Sequence, residues 1–174
     1  MSELNIFTDG SKLDNRVGAG YVFYKVRSQI REEQFNLPEQ CSVFQAEVLA
    51  IKKAATDLVA MGGYRFVRFF VDSQAALLAI NSKQISSKLV EEAVLALNKA
   101  SENRTIVLNW TKAHVGVEGN EKADRLAKSG ALGCNRVEVG LPPQELKNRI
   151  SEYFYSQWKR EFQDYGGARM GKCF

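Results

Sequence analysis

Two apolar strand patterns in this chain are separated by a helix, and that order limits the fold more than any other feature of the sequence. "LNIFTD" at residues 4–9 and "RFVRFFV" at 65–71 are apolar runs of strand length. Between them, "VFQAEVLAIKKAATDLVAM" at 43–61 places Val43, Ala46, Leu49, Ala50, Ala54, Leu58 and Met61 near helical spacing, and Gly62-Gly63 stops the pattern. Strands joined through a helix run parallel. Before the helix, "VGAGYVFYKV" at 17–26 and "QIREEQFNL" at 29–37 follow the first strand after short connections, as an antiparallel meander would. After "RFVRFFV", Asp72 or Ser73 can cap a short helix. An amphipathic helix over 86–101, the strand "TIVLNW" at 105–110 and a helix from Glu118 to Ala131 ahead of Gly133 complete the series. The order βββαβααβα predicts an α/β fold: a mixed five-stranded sheet, its first three strands an antiparallel meander, its fourth and fifth strands parallel, flanked by helices.

Four carboxylates occupy telling places on that layout. Asp9 ends the first strand, Asp72 ends the fourth, Glu47 lies one turn into the first helix, and Asp124 lies in the last helix. An Asp-Gly pair after a strand is most often only a hairpin turn. The first and fourth strands are expected neighbours, however, and sites of open α/β sheets form at the carboxyl ends of such strands, so Asp9 and Asp72 should converge. Gathered acids repel one another and are costly to desolvate. Divalent cations remove that cost, and hard oxygen ligands favour Mg²⁺ or Mn²⁺ over zinc. Such a cluster can hold two ions about 3.5 to 4 Å apart, one activating water and the other stabilising a leaving phosphodiester oxygen.

Composition removes several other classes. The three cysteines are an odd number at wide spacings and there is one histidine, which argues against a disulfide framework and against a Cys/His zinc site. No apolar run approaches the roughly 20 residues of a membrane span, and the N-terminus has no signal-type core, so a chain with no membrane association and an intracellular location, cytoplasmic or nuclear, is expected. The net charge of +4 tilts the partners toward polyanions.

"TDGS" at 8–11, "QAEVLAI" at 45–51, "VDSQAAL" at 71–77 and "NWTKAHVGVEGNEKADRLAKSGA" at 109–131 together resemble, in order, the motifs of type 1 ribonuclease H. The version most similar is the domain found in polyproteins of retroelements, the non-long-terminal-repeat retrotransposons. The resemblance implies an endonuclease that hydrolyses the RNA strand of RNA–DNA hybrids with two Mg²⁺ ions, Mn²⁺ being able to substitute, during reverse transcription. It implies Asp9, Glu47, Asp72 and Asp124 as catalytic and metal-binding acids, and His114 as a mobile-loop group serving proton transfer or product release. Gly10, Ser11 and Glu47 become candidates to touch the ribose beside the cut bond, since 2′-hydroxyls distinguish RNA from DNA. Ser42 matches a phosphate-pocket hydroxyl or serves as a helix cap, and Asn120 supports the metal site or caps the last helix. Cellular members often insert a basic helix and loop where this chain has only "NSKQISSK" at 81–88. A domain without it can borrow its grip from an attached reverse transcriptase, and the isolated domain is expected to be monomeric.

Two other readings use the same acids. A transposase, integrase or resolvase core fits the "GNEKAD" helix poorly, and a catalytically silent hybrid-binding or structural domain is opposed by the complete acid set. Residues 1–133 are expected to form the catalytic domain. Residues 134–174 should form a linker and an amphipathic helix, with Leu146, Ile150, Phe154, Trp158 and Phe162 on one face, docked on the domain rather than held out for a partner.

Overall fold

Alternation along the first strand sets the two faces of the molecule: Leu4 and Ile6 are buried in one core cluster and Phe7 in another. The computed structural model describes residues 3–112, 116–140 and 143–168. Its strands β1 (Glu3–Leu13), β2 (Arg16–Lys25), β3 (Ser28–Leu37), β4 (Phe66–Val71) and β5 (Thr105–Trp110) form one sheet in the order β3-β2-β1-β4-β5. The β1–β2 and β2–β3 pairs are antiparallel, and β1–β4 and β4–β5 are parallel. This is the mixed five-stranded sheet that the order of elements predicts. Its parallel part runs from the centre out to the β5 edge.

The first strand does not end at Asp9. It continues to Leu13, pairing with β2 as far as Leu13↔Arg16, and the chain reverses at Asp14 and Asn15, whose φ values of 47° and 64° are those of a tight hairpin turn. The parallel pairing with β4 stops at Thr8↔Val71. Asp9 therefore stands in mid-strand with β2 on one side, just beyond the end of β4 on the other.

Helix α1 (Val43–Ala60) begins with a capping box: the Gln45 N–H donates to Ser42 Oγ at 3.2 Å and the Ser42 N–H to Gln45 Oε1 at 3.0 Å. With α3 (Lys88–Ser101) it covers one face of the sheet, over Leu4, Ile6, Phe23 and Phe69. Each such side chain contributes about 1.5–3 kcal/mol relative to exposure. A polar tie fixes α1 at its far end, where Asp57 accepts from the Tyr21 hydroxyl of β2 and from Arg31 Nε of β3 at 2.6 Å. The short α2 (Gln74–Ile80) is capped by Ser73, which accepts from Ala76 N–H at 3.2 Å.

Helix α4 (Glu118–Leu132) covers the opposite face, setting Ala123 and Leu126 against Phe7, Val22 and Tyr24. Its approach is very close. A Cβ at Gly20 would lie 2.6 Å from the Ala127 nitrogen, so the helix can seat there only over glycine. Gly20 is the cross-strand partner of Asp9, and this seating lays α4 beside that carboxylate.

The chain divides into two compact units, Met1–Gly140 and Leu141–Phe174. The first reaches past residue 133 because the following segment runs along β3: Asn36 N–H donates to Asn135 O and Val137 N–H to Asn36 O, both at 2.8 Å. The second unit contains α5 (Pro143–Ala168), on which Leu146, Ile150, Phe154, Trp158 and Phe162 are exposed. Among the described residues, no helix is long and apolar enough to cross a membrane.

Candidate active site

Asp9 from the middle of β1, Glu47 from the second turn of α1 and Asp72 from the residue after β4 converge, each offering a carboxylate oxygen within 4.8 Å of the others. Gly10 makes that approach possible. A Cβ there would fall 2.5 Å from the Glu47 nitrogen and 2.9 Å from the Ala46 carbonyl carbon, so any side chain would push α1 off the strand. Gly10 also donates its N–H to Asp9 Oδ1 at 2.8 Å, which orients the carboxylate. The Asp72 main chain is held by the Trp110 indole, whose Nε1–H donates to the Asp72 carbonyl at 3.0 Å.

Burial makes this gathering electrostatically costly. Glu47 is 5 % exposed, and its Oε2 is a buried atom with no hydrogen-bond partner among the described residues. Desolvation, followed by the charges of Asp72 and Asp124, pushes Asp9 up to about 7; the Gly10 N–H and a hydrogen bond with Glu47 act the other way. Glu47 is raised as well, again first by burial and then by Asp9 and Asp72. Three converged oxygen donors, two of them with raised proton affinity, and one orphaned carboxylate oxygen are what a hard divalent cation would neutralise, so the residues fit such an ion.

Asp124 stands near enough for its charge to act on Asp9, yet it is not part of the converged trio. Its Oδ2 accepts from Lys128 Nζ at 2.7 Å, one turn further along α4. With like charges on one side and an ammonium on the other, the lysine is the favourable partner. The i,i+4 spacing of Asp124 and Lys128 makes that pair visible in the sequence, and the sequence reading passed over it.

A family model of RNase H matches residues 1–132. The chain belongs to the RNase H family. Solved structures agree in fold. The N-terminal RNase H domain of Rv2228c from Mycobacterium tuberculosis, solved as a fusion with maltose-binding protein, superposes with a TM-score of 0.60 at 21% identity, over 75% of this chain and 94% of that one. RNase H1 from the halophilic archaeon Halobacterium salinarum NRC-1 gives 0.58 at 19% identity, over 74% and 96%. The chain is accordingly a ribonuclease H hydrolase.

The remaining candidate residues of this ribonuclease H fall unevenly. Ser11 follows Gly10 on β1 and is partly exposed, and Ser42 serves as the α1 cap described above. Asn120 does not cap α4. The N-cap position is Val117, and Asn120 lies inside the first turn, 4 % exposed, with its Oδ1 lacking a hydrogen-bond partner among the described residues. His114 lies outside the described residues. Trp110, which the sequence reading took only as the end of a strand, touches the site through the Asp72 carbonyl.

Proposed function

We propose that this protein is an endoribonuclease that cuts the RNA strand of RNA–DNA hybrids by two-metal-ion catalysis. The observation that carries the reading is the convergence of Asp9, Glu47 and Asp72 within 4.8 Å at the end of the parallel strands. These three, with Asp124 beside them, would hold Mg²⁺, two ions in this reading, with Mn²⁺ able to replace it. When bound, such ions supply the Lewis acidity that generates a nucleophilic water and stabilises the leaving oxygen. The protein's own groups do the rest. Asp9 and Glu47 would give up any proton they hold in taking the ion, and the Gly10 N–H keeps Asp9 aimed. Gly10, Ser11 and Glu47 are assigned in this reading to a ribose 2′-hydroxyl, recognition of which would select RNA over DNA. Ser42 is assigned to a substrate phosphate beside its capping role, Asn120 to support of the acid cluster, and His114 to proton transfer or product release.

The parent protein in this proposal is a retroelement polyprotein in which the domain is joined to a reverse transcriptase, and the isolated chain is a monomer. The packing of α5 on the first unit belongs to the same proposal; loss of melting temperature in Trp158→Ala supports it and an unchanged melt removes it. The test of the activity itself is a gel assay with labelled RNA–DNA hybrid, duplex DNA and duplex RNA, each with and without Mg²⁺. Cleavage confined to the RNA of the hybrid, and dependent on Mg²⁺, is expected. Cleavage of duplex DNA, or none of any substrate, overturns the reading.

A further inference from the structure

Of the three converged acids, Asp72 alone lies outside a strand or a helix. Asp9 sits in mid-strand with the β2 ladder beside it, and Glu47 in an 18-residue helix. Asp72 belongs to the two-residue connection between β4 and α2. The β4–β5 ladder closes one residue earlier, with Thr111 N–H donating to Val71 O at 2.9 Å, and the first bond onto the next helix goes one residue later, from Leu77 N–H to Ser73 O at 3.2 Å. The Asp72 carbonyl thus belongs to neither element. Its donor is the Trp110 indole. Whenever Asp9 and Glu47 are ionised, as ion binding requires, their buried charges act to push the third carboxylate away.

Trp110 is also an unusual residue for its place. It ends the edge strand, is 51 % exposed and is not a member of either core cluster. A half-exposed tryptophan there adds little to the core, yet its one polar atom is committed to the main chain of an acid in the site.

We infer that Trp110 is a positioning residue: its indole N–H pins the Asp72 main chain at the end of β4, so that the Asp72 carboxylate stays converged with Asp9 and Glu47 when a divalent cation is taken up. The inference rests on the metal-binding reading of the acid cluster. Partners of this kind, touching a ligand residue rather than the ion, change metal affinity by about 10- to 100-fold when removed.

The test compares the full chain with Trp110→Phe, which keeps an aromatic ring and removes the donor. Each is titrated with Mg²⁺ alone, with no nucleic acid present, following the backbone amide resonances around Asp72. The variant should bind Mg²⁺ about tenfold more weakly while its metal-free melting temperature stays within about 3 °C of wild type. The Mg²⁺ concentration giving half-maximal cleavage should rise by the same factor, with kcat at saturating Mg²⁺ nearly unchanged and hybrid affinity in saturating Ca²⁺ the same. Equal Mg²⁺ affinity in the two proteins overturns the inference. So does a loss confined to hybrid affinity, which would make the exposed ring a substrate contact, or a large drop in melting temperature, which would make Trp110 a stabilising residue. If the wild-type chain itself takes up no Mg²⁺, the metal reading falls first and this inference with it.

Discussion

A carboxylate is legible in sequence when its surroundings make it expensive. Asp9 and Asp72 each follow strand apolar residues and Glu47 interrupts an apolar helix face, so their convergence could be argued before any coordinates. Asp72→Asn should abolish cleavage while leaving the fold intact, because it removes a ligand charge without changing side-chain volume. A loss of several kcal/mol of transition-state stabilisation corresponds to at least about a hundredfold in rate. Retention of more than a few per cent of wild-type activity in saturating Mg²⁺ would defeat the assignment. The same cluster gives the metal-free protein a pH dependence with a definite sign. Asp9 and Glu47 have raised proton affinity in the fold, so the stability they contribute is fully present below the unfolded carboxylate value near 4 and is lost as pH rises through about 7 for Asp9 and beyond it for Glu47. Without metal, the melting temperature should therefore be lower at pH 8 than at pH 5, and Glu47→Gln should reduce the difference. A variant whose melts at the two pH values differ by as much as those of wild type would contradict this. The pairing of Asp124 with Lys128 was legible in its i,i+4 spacing on one helix, whereas the burial of Asn120 was not, since it depends on the distance between α4 and the sheet rather than on any local pattern.

At the scale of elements, the long periodic segments announced themselves. The helices α1, α3 and α4 and the strand β5 lie within a residue or two of where apolar spacing and glycine stops place them. The first hairpin was the exception. "TDG" carries a strong turn signal at Asp9-Gly10, while the true reversal uses Asp14 and Asn15, two residues that tolerate positive φ but stand in a polar stretch that reads equally well as loop. What overrode the local signal is the ladder, which continues from Asp9↔Gly20 to Leu13↔Arg16. Glycine at position 20 then has a reason that no sequence pattern supplies, the backbone of α4 lying against it. Gly20→Ala should force α4 outward and cost about 1–3 kcal/mol, the range for overpacking a close contact. Denaturant unfolding measures it directly, and an unchanged midpoint would show that α4 sits higher on the sheet than described. Activity should fall with stability, because α4 also carries Asp124 beside Asp9.

The molecule as a whole carries its chemistry and its charge in different proportions. The converged acids and the full family match lie within Met1–Gly140, while net charge over all 174 residues is only +4. Affinity for a nucleic-acid duplex depends on how many phosphates are neutralised, and each neutralised phosphate adds roughly 0.9 to the slope of log affinity against log salt for a B-form duplex. Where larger family members insert a basic helix, this chain has the short irregular link of residues 81–87 between α2 and α3. The intact chain should therefore bind RNA–DNA hybrid weakly at physiological salt, about micromolar or worse, as typical of non-specific contacts. Affinity is to be measured in Ca²⁺, over a salt series, for residues 1–174 and for a chain ending at Gly140. The shorter chain has its own core and every proposed metal ligand, so it should fold, cleave and bind within about threefold of the longer one. Nanomolar binding by the full chain that vanishes on truncation would overturn this and move the grip to α5, where Lys147, Arg149, Lys159 and Arg160 are exposed. Nanomolar binding that survives truncation would instead mean that the sheet and its first helix hold the hybrid without a basic insertion, through the main chain of Gly10 and Ser11 and the start of α1.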